Sequence, residues 1–266
     1  MKILTFVKHV PTPAVTPRIA ESGDRIEDSG LSYEANEADL YAIEEAIHQK
    51  SLHGGDTIAV TIGPDRAKEA LHVALAKGVD QVLHVLDERF QGTNSGLSWM
   101  AATRVVKKFE PDLVLCGVQA EDDMQGQFGI MLAEVLGLPV VTAVTEINVN
   151  ADRTAATVVR EIGAGFKEEI EVDLPCVLTI QFGIRPLRYT PIMSIVRMRM
   201  RPVETIDLEG LGIAPDALGA EEDMRVVELR YPDAGGKCEV IDGLPDDAAD
   251  ELVGKLIDRG VLQDAR

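Results

Sequence analysis

The stretch DLVLCGVQAEDDMQGQFG, residues 112–129, decides the fold: an apolar, β-rich run ends in an acidic, amide- and glycine-rich turn and then enters a helix. A strand feeding a helix in this way is half of a parallel crossover unit, and open parallel sheets bind ligands outside the carboxyl ends of their strands. Working outward, KILTFV, DTIAVTIG and QVLHVLD precede it, each followed by helical periodicity. The spacing predicts an α/β fold with a doubly wound, mostly parallel sheet.

The helices carry their own signals. Leu40, Ile43 and Ile47 form the apolar stripe of the first, with Glu37, Glu44 and Gln49 expected on its wet face. Ala67, Leu71, Ala74 and Leu75 mark the second, started by Pro64-Asp65 and stopped by Gly78. Leu97, Ala101 and Val105 mark the third, which ends in Lys107-Lys108 at its negative dipole end.

Beyond Pro139 the pattern becomes VVTAVTEINV, TAATVVREI and EEIEVDLPCVLTIQFG, strands without intervening helices, with Ile162-Gly163-Ala164-Gly165 as the hairpin turn. This reads as an antiparallel strand extension of the same sheet. Residues 1–202 then form an α/β domain, and residues 203–266 an extended C-terminal arm ending in a helix. Residues 203–247 are acidic and turn-rich, with little core of their own. In the final helix Ala249, Leu252, Val253, Leu256 and Ile257 share one face, Asp246 or Asp247 is placed to cap it, and Gly260 to end it. Such a face needs a surface to cover, on this molecule or another.

Composition excludes several classes. With 266 residues, 45% hydrophobic, and a formal net charge of −19, the chain has ample area for a core and repels nucleic acid and anionic lipid surfaces. Cys116, Cys176 and Cys238 lie about sixty residues apart, so neither a disulfide framework nor a metal-ligand spacing is present. No spanning apolar run or leader is visible, and the cytoplasm is the expected location.

The quoted turn supplies the candidate chemistry. Gly126-Gln127-Phe128-Gly129 opens a helix with small residues and free main-chain N–H groups, which suit a phosphate. Asp122 and Asp123 stand where ribose hydroxyls or an adenine amino group would lie, or else simply cap the helix start. No Walker lysine loop and no G-x-S-x-G elbow occurs. The five histidines show no ligand spacing; His48, His53, His72 and His84 read as surface or core-edge residues, and His9 sits in a ligand-facing loop. Arg197-Met198-Arg199-Met200-Arg201 alternates with strand period, an edge strand paired with the chain's own carboxylates or a partner-docking patch.

Together these motifs resemble the β subunit of electron transfer flavoproteins, within the adenine nucleotide α-hydrolase-like superfamily, over residues 1–205. LTFVKHVP is similar to that family's first strand and turn. NEADLYAIEEA retains Asn36, Asp39, Ala42 and Glu44-Glu45-Ala46 of the family's pattern. GVQAEDDMQGQFG retains Gly117, Gln119, Ala120, Asp122, Gln127 and Gly129, and RPLRYTPIMSIVRMRMRP retains Arg188, Tyr189 and Pro202.

The resemblance implies a heterodimer. An α subunit carries the redox-active FAD, and the β subunit clasps it and holds AMP, or a second FAD in electron-bifurcating members. Carried over by position, nucleotide contacts come from Phe6, Val7, Lys8, Asn36, Asp39, Ile62, Gly63, Gly117, Gln119, Asp122, Gln125, Gly126, Gln127, Phe128 and Gly129. Ile184, Arg188 and Tyr189 match the loop that docks an acyl-CoA dehydrogenase-type donor, and a quinone reductase or other acceptor follows. No bond-making chemistry is implied for the chain itself. Three departures stand out: Met124 replaces an aspartate, Glu37 follows Asn36 in place of proline, and Phe6 is bulky where a small residue is common. The rival readings are a stand-alone adenine-nucleotide binding module and a hydrolase on the same sheet.

Overall fold

The computed structural model describes residues 1–87, 90, 95–214, 226–232 and 238–262. They divide into two compact units, Met1–Leu229 and Arg230–Arg266. In the first, β1 (Lys2–Phe6), β2 (His9–Pro11), β3 (Tyr33–Ala35) and α1 (Glu37–His53) lead to β4 (Asp56–Ile62), α2 (Lys68–Lys77) and β5 (Gln81–Val85). Then come α3 (Ser95–Phe109), β6 (Leu113–Gly117), α4 (Phe128–Leu136), β7 (Val140–Val149), β8 (Ala155–Gly163), β9 (Phe166–Asp173), β10 (Cys176–Ile180), α5 (Ile192–Met198) and β11 (Glu204–Ile206).

Among the described residues nine strands share one sheet in the order β11-β5-β4-β1-β6-β10-β7-β8-β9. β1 pairs in parallel with β4 on one side, Ile3 opposite Thr57, and with β6 on the other, Ile3 opposite Leu113. Chain order reverses at β1, so the crevice between the carboxyl ends of β1 and β6 is the topological switch point where such sheets hold ligands. These strands are buried on both faces, which is why they read as continuous apolar runs.

The strand extension differs from expectation in one place. β7, β8 and β9 are antiparallel, and the turn at Gly163, Ala164 and Gly165 has φ of 92°, 51° and 79°, as a glycine-rich hairpin requires. EEIEVDLPCVLTIQFG, however, is two strands broken at Leu174-Pro175, and its second half, β10, inserts between β6 and β7, parallel to both. Val177, Leu178 and Ile180 are fully buried there, so both faces of β10 belong to the core.

Three local expectations are corrected. Glu44 and Gln49 on α1 are buried, not wet, because α2, the 182–190 segment and β7 cover that face. His72 and His84 are likewise buried; the His84 ring meets the Gly63 carbonyl at 3.1 Å. Arg197 to Arg201 is no strand: α5 ends at Met198, Arg199 caps it, and Arg199 pairs with Glu69 of α2 at 2.7 Å. Alternation over five residues fits a helix end equally well when only Met198 turns toward the core.

After residue 203 the chain forms β11, parallel to β5, and buries Leu208, Leu211 and Ile213 in the core beneath α3. In the second unit α6 (Pro245–Asp258) starts with Pro245 in its first turn after Leu244, with Asp246 and Asp247 inside that turn where the helix dipole favours them, rather than as caps. Gly260 at φ 70° follows its end. None of its residues is buried. No described helix is long and apolar enough to cross a membrane.

Candidate functional site at the carboxyl rim

A single buried carboxylate ties the two strands of the switch point. Asp39 Oδ2 accepts from the Lys8 N–H just beyond β1 at 2.9 Å, and Asp39 Oδ1 accepts from the Gly117 N–H at the end of β6 at 2.7 Å. Burial pushes the Asp39 carboxyl up to about 6, against the pull of those two N–H donors. The first turn of α1 can press this close only because residue 117 lacks a side chain: a Cβ there would lie 2.6 Å from Ala38 Cβ and 2.7 Å from Asp39 Oδ1.

Asn36 fixes the loop after β6. Its Nδ2 donates to the Gln119 carbonyl at 3.1 Å, and its Oδ1 accepts from the Glu121 N–H at 3.0 Å. Asn36 is 1% exposed, so its polar atoms are directed into the protein, and with Asp39 it shapes the rim from beneath. Val7, also buried, holds β1 to β4 through its N–H, which donates to the Val60 carbonyl at 2.9 Å. Ile62 and Gly63 end β4 alongside, the Gly63 N–H donating to the Val85 carbonyl at 3.1 Å.

Above this floor the polar groups are exposed. Lys8 Nζ donates to Asp122 Oδ1 at 2.6 Å and to Asp123 Oδ2 at 2.8 Å. Burial alone would lower the Lys8 ammonium, but the two aspartates raise it overall. The turn closes with Met124 at φ 55° and Gly126 at φ 61°, and the Gln125 N–H donates to Asp123 Oδ1 at 3.1 Å. α4 then begins behind Gln127, whose side chain makes no capping bond. The first N–H groups of α4, on Phe128 and Gly129, have no acceptor within the helix. Gly129 lets that turn sit against the sheet, since a Cβ would come within 2.6 Å of Thr179 Cγ2 and 2.7 Å of Cys116 Sγ. Phe128 meets Phe6 edge to face, centroids 5.1 Å apart.

The rim therefore combines an uncapped helix start, an ammonium and two carboxylates on one lip of the crevice. That donor set fits an adenylate: main-chain N–H groups and Lys8 for the anion, carboxylates for hydroxyl or amino donors.

Comparison with known proteins follows the same lines. The family model described as electron transfer flavoprotein domain matches residues 25–210. The chain is 31% identical over 255 residues to an electron transfer flavoprotein subunit beta of Methylophilus methylotrophus, covering 95% of this chain and 97% of that one. It is 34% identical over 243 residues to the subunit of the same name in Bacillus subtilis, covering 90% and 91%.

The chain belongs to the electron transfer flavoprotein β-subunit family.

It is also 32% identical over 266 residues to the Caffeyl-CoA reductase-Etf complex subunit CarD of Acetobacterium woodii, covering 98% of this chain and all of that one. Electron transfer flavoproteins are electron carriers, and a β subunit is by name one part of an assembly whose counterpart is an α subunit.

Ile184, Arg188 and Tyr189 lie apart from the rim residues in sequence and in their contacts. Ile184 packs against the second core, around β7 and β10, while Tyr189 is 85% exposed. Arg188 Nε donates to Glu44 Oε2 at 2.6 Å. Sequence reading missed what holds this segment: Glu44 and Lys77 at Arg188, and Glu45 at Arg185. The signal was present as two adjacent glutamates on a helix and two arginines three residues apart, which only the tertiary fold brings together.

Proposed function

We propose that this chain is the β half of a heterodimeric electron transfer flavoprotein and holds an adenine nucleotide at the rim between β1 and β6. The observation that carries the reading is the uncapped start of α4 set beside Lys8, Asp122 and Asp123. In this reading the anion rests on the Phe128 and Gly129 N–H groups with Lys8, and Asp122 and Asp123 receive hydroxyl or amino donors. Gln119, Gln125 and Gln127 supply neutral hydrogen-bonding groups around it, and Phe6 and Phe128 an apolar wall.

The redox chemistry belongs to FAD, held mainly by the α subunit; the chain contributes binding geometry and exclusion of water. An acyl-CoA dehydrogenase-type donor docks at the segment containing Ile184, Arg188 and Tyr189, and a quinone reductase or another acceptor takes the electrons onward. α6, at the end of the arm, packs on the α subunit, and the assembly works in the cytoplasm. In a second reading, favoured by the full-length likeness to a subunit of a Caffeyl-CoA reductase-Etf complex, FAD replaces AMP at the rim.

Co-expression with an α partner, a visible spectrum and mass analysis of the released nucleotides test this. One FAD with one AMP per heterodimer supports the first reading and two FAD the second. A colourless chain that releases no nucleotide and binds no α partner overturns both.

A further inference from the structure

Two buried carboxylates occupy successive positions of α1. The side chains of Glu44 and Glu45 are 4% and 0% exposed. Isolated, such groups would be costly to bury, so their cations decide what they do. Glu44 Oε1 accepts from Lys77 Nζ at 2.7 Å and from the Arg188 main-chain N–H at 3.2 Å, while Oε2 accepts from Arg188 Nε at 2.6 Å. The attachment is reciprocal: Lys77 Nζ donates to the Arg188 carbonyl at 3.3 Å, and Arg188 Nη2 to the Lys77 carbonyl at 3.2 Å. Glu45 Oε1 accepts from Gln49 Nε2 at 2.7 Å, leaving Oε2 to receive Arg185 Nε.

Arg185 and Arg188 belong to residues 181–191, which contain no helix or strand. Near its start the Gln181 N–H donates to the Val144 carbonyl at 2.9 Å. Onward, the two arginines anchor it to α1, and it presents Tyr189 at 85% exposure, with Ile192 at 73% and Met193 at 72% just beyond. A loop without its own main-chain ladder keeps one shape only if its side chains are held. Here the holders lie on the same helix that Asn36 precedes and whose first turn carries Asp39 beneath the rim; Glu44 is five residues beyond Asp39, about 8 Å at 1.5 Å per residue.

We infer that Glu44 and Glu45 are positioning residues: they clamp Arg188 and Arg185, fix residues 182–191 in one shape for the electron-donating protein, and tie that surface to the helix that shapes the rim. The inference rests on the proposed docking role of this segment. Neither glutamate is accessible to a partner, so any effect of replacing it on docking passes through the loop.

Two variants test this in the heterodimer: Glu45→Gln, and the double variant Glu44→Gln with Lys77→Met, which removes the buried charge pair together and takes the carboxylate from Arg188. Hydrogen exchange over residues 182–191 is expected to rise about ten-fold in each, with exchange over β1, β4 and β6 unchanged. With a medium-chain acyl-CoA dehydrogenase and its substrate as donor, KM for the dehydrogenase is expected to rise about ten-fold with kcat kept, as when the competent conformer falls to a tenth of the population. Nucleotide content and reduction by dithionite should stay at the parent level. Unchanged exchange in the segment overturns the inference, as does raised exchange with unchanged KM. If the parent heterodimer itself accepts no electrons from the dehydrogenase, the docking role and the inference built on it fall, whereas the nucleotide reading stands or falls on its own mass analysis.

Discussion

Lys8 Nζ lies 2.6 Å from Asp122 Oδ1, joining the turn after β1 to the turn after β6 across 114 residues of sequence. The pair is exposed, so its contribution to folding is small, about 0–1 kcal/mol. Its consequence is local charge: the ammonium offsets two carboxylates at the lip where an anion is proposed to rest. Lys8→Met is expected to leave the unfolding midpoint nearly unchanged and to weaken AMP binding about ten-fold, roughly one charge-assisted hydrogen bond. Calorimetric titration of the nucleotide-free chain checks this, and equal affinities would remove Lys8 from the site.

Gly117 stands where a side chain has no room. Gly117→Ala places a Cβ against Ala38 and the Asp39 carboxylate, and α1 must shift from β6. A loss of about 1–3 kcal/mol is expected from such overpacking. Urea denaturation measures it, and a variant as stable as the parent would mean that α1 yields without strain.

Asp39 and Glu44 give pH dependences of opposite sign. The Asp39 carboxyl rises from an ordinary 3.8 to about 6 on folding, so between those values the folded chain holds a proton that the unfolded chain has released. Stability from Asp39 is therefore fully present below about 4 and lost as pH rises through 6, by about 3 kcal/mol at most. Glu44 behaves the other way. Burial would raise it, but Lys77 and Arg188 hold it below the ordinary 4.5, so its contribution is present above that value and lost as pH falls through the lowered one. Asp39→Asn should thus show a smaller loss of stability than the parent from pH 4 to pH 7. Glu44→Gln should lose less than the parent below pH 4.5. Denaturation curves at several pH values decide both, and parallel curves for parent and Asp39→Asn would contradict the first.

α6 leaves Leu252 at 49% and Val253 at 46% exposure on a helix with no buried residue. If the arm covers an α subunit, Leu252→Asp should weaken the heterodimer at least ten-fold while leaving the isolated chain's melting temperature alone, since a buried apolar anchor at an interface is worth more than about 1 kcal/mol. Sedimentation of the mixed subunits gives the answer. Undiminished association would place the helix elsewhere.

The sheet through β6 was legible because parallel strands buried on both faces and helices with one apolar stripe announce themselves within a dozen residues. Gly78, Gly163 and Gly165 were readable for the same reason, each needing a positive φ at a local turn. What escaped was set by distant segments. The burial of Glu44 and Gln49 depends on Lys77, Arg188 and the Ile147 carbonyl, none within a turn of α1. The helix at Ile192–Met198 escaped because seven residues with no buried member carry no decisive period. At the rim, Gly117, Asp122 and Gly129 stood out as residue types, but that Asn36 and Asp39 face inward could be known only once α1 was laid against β6.

The insertion of β10 between β6 and β7 bears on how the chain is made. Synthesis delivers β7, β8 and β9 before the strand that joins them to β6, so until Ile180 has emerged a nascent chain has two sheet fragments with open inner edges. Vacant edges invite pairing with other chains. A message truncated ahead of codon 176 would therefore yield an aggregating product, whereas one cut after residue 214 retains all nine strands of the sheet found among the described residues.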